Sequence, residues 1–310
     1  MIMTPVEPKV VRDGSPGLTI NRLRPGGKDG PDGIVRDSDQ LSGAAWFENF
    51  FVGGPDDPWR LAIPDVRMAR NQLWPMHWHD CWIAVIVLDG LCMVGDWWME
   101  RGDVLITPAK VEYGPLLVGP KGCQLLEIFA QEILSGGGYA PEYRDHPTLE
   151  YLQGKKSIAP AAFLPRPDIS ASNAGRQTTP LKEVPGVLTG HLSGNGRWDL
   201  GEASDPDRGV MLETTFAAGT VIPSHRHNDW RGVLVFDGSM RVGDTSLTQD
   251  DLLVIEPGTE VPQLVAGSEG VHLLSFAKTA AAEPTIFSLA DRDEPRYQTA
   301  FATVREAAFE

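Results

Sequence analysis

Cysteine is scarce in this chain. Three residues in 310, an odd number at unremarkable spacing, exclude a disulfide framework and point to a reducing compartment. Positive charge is short as well. Lys and Arg number 27 against 42 Asp and Glu, and the formal net charge of −15 argues against nucleic acid or an anionic membrane as partner. The acid is spread along the chain rather than gathered into a tail, so it reads as solubility. No apolar run approaches the length of a membrane span, and Met1 to Asp13 lack the apolar core of a secretory leader. The expected location is the cytoplasm. Glycine (33) and proline (25) are plentiful, as many short strands joined by tight turns require. A length of 310 with 42% hydrophobic residues can bury a sizeable core.

The most informative feature is a segment that occurs twice. Pro75, His77, His79, Trp82, Asp89, Gly90, Val94, Gly95 and Asp96 recur as Pro223, His225, His227, Trp230, Asp237, Gly238, Val242, Gly243 and Asp244. Every pair lies 148 positions apart, so the copies align without a gap and the chain is an internal duplication.

Residues two apart on a strand share a face, so the imidazoles at 77 and 79, and those at 225 and 227, can each converge on one point. Both pairs lead into apolar runs, Ile83 to Leu88 and Gly232 to Phe236, that read as buried strand and end in Asp-Gly, a hairpin signal. Gly102-Asp103 with Pro108, and Asp250-Asp251 with Pro257, mark the next turn and strand of each half. Imidazole is the commonest ligand for first-row transition metals. A lone His-x-His is more often a pair of core histidines; a pair duplicated in frame is read as metal binding in at least one half.

At these residues the sequence resembles the cupin superfamily, specifically a bicupin. His77, His79 and Gly90 fit the family's first motif, G-x5-H-x-H-x3,4-E-x6-G, with Asn71 at its opening glycine; His225, His227 and Gly238 fit it again, with Gly219 in place. Gly102 and Pro108 fit the second motif, G-x5-P-x-G-x2-H-x3-N, and Asp251 and Pro257 are the counterpart in the second half. The resemblance implies an all-β chain of two tandem jelly-roll barrels, each with metal inside near one mouth. This sequence departs from the pattern in both halves. The family's glutamate falls on Ile83 and Arg231, and the second-motif histidine on Tyr113 and Pro262. Each half thus keeps two of four usual ligands.

Other groups are candidates to complete the sites or line the pockets. The first half offers Cys81, in strand parity with His77 and His79, then Gln124 and Glu127; the second offers Asp229 and His272, which aligns with Gln124. An ordinary packing role competes for each of them. Arg231 is charged at any physiological pH and would repel a divalent cation beside two imidazoles; it reads as a clamp for a substrate carboxylate or phosphate, or as an ion pair with Asp229. The first half, neutral around its histidines, is therefore the better metal site. Five of the nine tryptophans (Trp74, Trp78, Trp82, Trp97 and Trp98) lie within 25 residues there, chiefly as core and interface, with Trp82 a candidate pocket wall. The stretch from Tyr113 to Gly122 is similar to a form found in small cupins in which Tyr replaces the fourth histidine, implying that Tyr113 bonds to a metal-bound ligand.

The expected organisation is an N-terminal arm (1–45), barrel 1 (46–135), a linker (136–189) with a short helix from Pro141 to Leu152, barrel 2 (190–280) and a partly helical tail (281–310). The arm is expected to pack across the barrels or onto a partner subunit. Exposed barrel edges favour a homodimer. The resemblance implies a metal-dependent dioxygenase, with Fe(II) favoured over Mn, Ni, Cu or Zn, acting on a small aromatic or dicarbonyl molecule. An O2-independent lyase, isomerase or hydratase and a non-catalytic ligand-binding cupin are the alternatives.

Overall fold

The computed structural model describes residues 10–11, 17–23, 45–57, 60–68, 73–74, 76–114, 116–130, 137–139, 181–202, 204, 208–278, 284–304 and 307–310. The helix expected from Pro141 to Leu152 lies outside them.

Short runs of β-branched and aliphatic residues between glycine-rich turns make strands almost throughout. In chain order, β1 (Val10–Val11) and β2 (Leu18–Arg22) precede the first repeat. That repeat supplies β3 (Ala45–Val52), β4 (Leu61–Met68), β5 (Leu73–Trp74), β6 (His77–His79), β7 (Ile83–Val94), β8 (Trp97–Met99), β9 (Asp103–Thr107), β10 (Leu116–Phe129) and β11 (Gly137–Tyr139). After β12 (Leu188–His191) and β13 (Arg197–Leu200), the second supplies β14 (Gly209–Phe216), β15 (Val221–Ile222), β16 (His225–Arg226), β17 (Arg231–Val242), β18 (Thr245–Thr248), β19 (Asp251–Ile255), β20 (Glu260–Val261), β21 (Leu264–Ala277) and β22 (Thr285–Phe287). The tail has two 3-10 turns, the short helix α1 (Gln298–Thr303) and β23 (Ala307–Phe309), so it is partly helical as expected. Among the described residues no helix is long and apolar enough to cross a membrane.

The chain divides into two units, each built on one large antiparallel sheet. In the first the order is β12-β9-β7-β10-β4-β3; in the second it is β1-β2-β19-β17-β21-β14-β13. The central four strands correspond one to one, with identical lengths and end points displaced by 148 residues. The two units are thus two copies of one antiparallel architecture, as the duplication implies. Each sheet is extended at one side by strand from outside its own repeat. Residues that precede the first repeat supply β2, which pairs β19 in the second unit from Leu18 opposite Ile255 to Arg22 opposite Asp251. Residues that precede the second repeat supply β12, which pairs β9 in the first unit. The core of the second unit includes Leu18 and Ile20 from β2, with Phe216, Val235, Leu253 and Phe287.

The Asp-Gly pairs do not make hairpins. Asp89-Gly90 and Asp237-Gly238 lie inside the twelve-residue strands β7 and β17, next to shifts in the register with β10 and β21. Gly90 and Gly238 have φ of +78° and +76°, and a Cβ on either would fall 2.1 or 2.3 Å from the carbonyl oxygen of Gly122 or Gly270. They are bulge glycines where a second backbone closes in. The tight turns fall instead on the repeated Gly95-Asp96 and Gly243-Asp244, whose glycines also have positive φ. Gly90→Ala or Gly238→Ala should lower stability by about 2–4 kcal/mol, from positive-φ strain plus the displaced backbone, read as a lower denaturant midpoint at unchanged slope.

Candidate functional site

In the first unit, His77 and His79 stand on β6, a strand too short to hold itself. It is held on one side by β11, with Tyr139 opposite His77, and on the other by reciprocal backbone bonds between His77 and Tyr113 of 3.1 and 3.0 Å. A further bond, Lys110 N–H to the His79 carbonyl at 2.7 Å, fixes the strand's end, and Gly258 N–H to the His227 carbonyl repeats it at 2.7 Å. The frame around each histidine pair is therefore the same.

The ring geometry is duplicated too. The His77 and His79 rings lie 5.2 Å apart at 87°, and the His225 and His227 rings 5.3 Å apart at 81°. His77, His225 and His227 are buried, and His79 half-buried. The His225 ring has its Nδ1 2.9 Å from the Pro223 carbonyl, so Nδ1 carries the proton and donates it, leaving a lone pair on Nε2. Burial holds the His225 imidazole below its ordinary pKa, against that hydrogen bond. Burial, then the charges of His225 and Arg231, push the His227 imidazole down to about 2. Both rings of the second unit stay neutral in the physiological range.

The two units differ in what stands beside the rings. In the first, the Tyr113 phenol is 3.1 Å from His79 Nε2, and its ring lies 4.5 Å from that of His77. In the second, β16 pairs with β20 so that His225 faces Val261. Val261, and not Pro262, thus occupies the place of Tyr113; an alignment through the shared Pro108 and Pro257 is displaced by one residue. The second difference is at the head of β7 and β17, where buried Ile83 is replaced by Arg231. Arg231 is 2% exposed and its Nε donates to Asp229 Oδ1 at 2.9 Å. The ion pair expected with Asp229 is present, and the Arg231 side chain also lines a cavity.

That cavity, of about 110 Å³, lies in the second unit. Its wall is mostly aliphatic and aromatic, with His225, His227, Arg231, Thr214, Ser275 and Thr285 as polar groups. Phe287 and Val304 from the C-terminal part also contribute, the Phe287 ring lying 5.5 Å from His225. The sequence points to the two histidines and Arg231; it does not single out Thr214 and Ser275, whose signal is strand alternation with Leu212 and Leu273, fellow members of the wall.

The remaining candidates sort by face. Gln124 and His272 both face buried carboxylates on the neighbouring strand. Gln124 Nε2 donates to Asp65 at 2.8 Å, and Asp65 also pairs with Arg67; His272 Nε2 is 3.5 Å from Glu213. His272 lies between Leu273 and Val271 on β21 but is absent from the cavity wall, where Leu273 and Ser275 stand. Glu127, by contrast, is the counterpart of Ser275, opposite Val85 as Ser275 is opposite Val233, another wall residue. Register thus puts Glu127 on the interior face of the first barrel, where burial raises its carboxyl to about 7. Cys81 is buried past the end of β6, where the chain bends before β7, so parity with His77 and His79 does not extend to it. Trp82 is fully buried core; Trp97 and Trp98 on β8 are partly exposed. Among the described residues, no group of three or more His, Cys, Asp or Glu side chains is gathered closely enough to hold a metal ion.

No family model matches the chain, and no curated protein matches its sequence. Solved structures resemble it in fold. An oxalate decarboxylase studied for its substrate binding mode and reaction specificity is 15% identical, covering 76% of this chain and 73% of its own at a TM-score of 0.47. The Lactobacillus farciminis oxalate decarboxylase in complex with formate is 15% identical over 76% and 81%, at 0.46. A candidate dioxygenase from Nostoc punctiforme is 14% identical over 79% and 84%, at 0.47.

Proposed function

We propose that this chain is a metal-dependent cupin enzyme acting on a small organic molecule, with the metal in the first barrel. The observation that carries this is the donor set there. Two imidazoles from one strand meet at 5.2 Å with a phenol oxygen 3.1 Å from one of them, and no cation stands at the position that Arg231 holds in the second unit. The set suits a divalent first-row ion, Fe(II) first and Mn, Ni, Cu or Zn after it. His77 and His79 would hold it, with Tyr113 and Glu127 the oxygen groups on hand. When bound, such an ion supplies Lewis acidity and open positions for substrate oxygens and O2. Tyr113 orients bound substrate through its hydroxyl, while Trp82 and Phe129, whose ring is 4.9 Å from His79, keep the surroundings dry. On this reading the reaction is a dioxygenation of an aromatic or dicarbonyl substrate, in a homodimer that binds neither nucleic acid nor membrane.

One observation favours a second reading, an O2-independent lyase. A Glu127 carboxyl lifted to about 7 is poised to take or give a proton near neutrality. Oxygen uptake during turnover separates the two.

The test is elemental analysis of untagged protein reconstituted with each metal in turn. His77→Ala or His79→Ala should lose most of the bound ion and all activity, and His225→Ala should change metal content far less. If the wild-type chain retains no metal after gel filtration, the metalloenzyme reading fails and ligand binding replaces it. If metal follows His225 instead, the active barrel is the second.

A further inference from the structure

The second barrel keeps the histidine pair of the first but does not fit a divalent ion. Where the family pattern has a carboxylate it has a guanidinium, and where the first barrel has a phenol it has Val261. We infer that this cavity is a metal-independent site for a small carboxylic acid with an aliphatic body, held at its carboxylate by Arg231 and the His227 imidazole. The inference concerns a different barrel from the proposed metal centre and does not depend on it.

Four observations support it. Among the described residues that line the cavity, Arg231 alone is formally charged, so no carboxylate stands in the wall itself. The cost of burying that guanidinium is shared by Asp229, which engages Nε, the edge of the group nearest the main chain. Second, His227 adds a hydrogen-bonding nitrogen to the wall. His227 Nδ1 is buried and has no hydrogen-bond partner, a group that a ligand oxygen would satisfy once that nitrogen carries the proton. Third, the rest of the wall is Phe216, Val233, Met240, Leu253, Leu264 and similar side chains, with only hydroxyls to interrupt it. Such a wall selects a hydrocarbon body and rejects a second charge. Fourth, a cavity of about 110 Å³ can hold several waters, and so has room for an acid of a few carbons.

The experiment is isothermal titration of the full chain, stripped of metal with chelator, against butyrate and its neutral isostere butyramide. Butyrate should bind once per chain, and butyramide at least tenfold more weakly, because only the anion gains charge-assisted hydrogen bonds. Arg231→Met should weaken butyrate at least tenfold while leaving butyramide unchanged. Val233→Phe, which fills the cavity and keeps the arginine, should abolish both. His77→Ala should leave butyrate binding intact even as it empties the metal centre. Equal affinity for acid and amide, or no binding of either, overturns the inference. So does butyrate binding that appears only with added metal or vanishes in His77→Ala, which would place the carboxylate in the first barrel and leave the metal reading standing. The acid–amide comparison uses the wild-type chain, so it holds even if Arg231→Met fails to fold.

Discussion

A chain beginning at Pro25 should lose the cooperative fold of its second unit. Removing the segment before it takes away β2, whose Leu18 and Ile20 are buried in the second unit's core and whose neighbour Leu23 is fully buried. Burial of each such side chain is worth about 1.5–3 kcal/mol, so three together approach the whole stability of an ordinary domain of about 5–15 kcal/mol. The loss is compounded because five residues of β19 lose their partner strand and the bond from Leu23 N–H to the Asp250 carbonyl disappears. Hydrogen exchange is the measurement, since it reports strand by strand: protection should collapse in β19 and β17. Unchanged protection there would mean that β2 is an ornament on a sheet stable without it.

The second large effect is expected at Glu213, a fully buried carboxylate on β14. It accepts from Ser193 N–H at 2.8 Å, Gly194 N–H at 2.7 Å and Trp198 Nε1–H at 2.6 Å, with His272 beside it. One side chain thus ties the 193–198 turn to the sheet. Glu213→Ala strands three donors, each at about 1–3 kcal/mol, and should destabilise the second unit by roughly 3–6 kcal/mol in urea unfolding. The pH dependence follows from the same contacts. Burial alone would raise this carboxyl, but the bonds from His272, Trp198, Gly194 and Ser193 outweigh it and the folded pKa lies below the ordinary 4.5. A depressed acid contributes its stability above the unfolded value and loses it as pH falls through the folded one. Wild-type stability should therefore drop below pH 4.5, the ordinary value for this carboxyl, and Glu213→Gln, which has no charge to lose, should show a shallower acid limb. Parallel acid limbs in the two proteins would count against this account.

The repeat makes most of the architecture legible in the sequence, because an identical offset over buried alternating strands leaves little freedom in register. It also locates both histidine pairs. Legibility fails where local signals compete with long-range ones. Asp-Gly is a turn dipeptide in isolation, yet Gly90 and Gly238 serve a bulge because a neighbouring carbonyl leaves no space for a side chain. A shared proline displaces the alignment at Val261 by one residue, and only the ladder opposite His225 corrects it. Gln124 and His272 have the chemistry of site residues, whereas each faces a carboxylate on the adjacent strand. Leu18–Arg22 alternates as a strand should, but its partner lies more than two hundred residues away, and no periodicity carries that information.

That separation has a consequence for synthesis. Leu18 leaves the ribosome 237 residues before Ile255, its opposite number in the ladder. At about 5–20 residues per second the strand waits on the order of tens of seconds with its backbone edge unpaired and its leucine and isoleucine in water. During that interval it is free to join any other unfinished sheet, including that of a neighbouring nascent chain. This pairing thus waits for most of the polypeptide to be made, and its yield in a cell should depend on how well the first two dozen residues are shielded meanwhile.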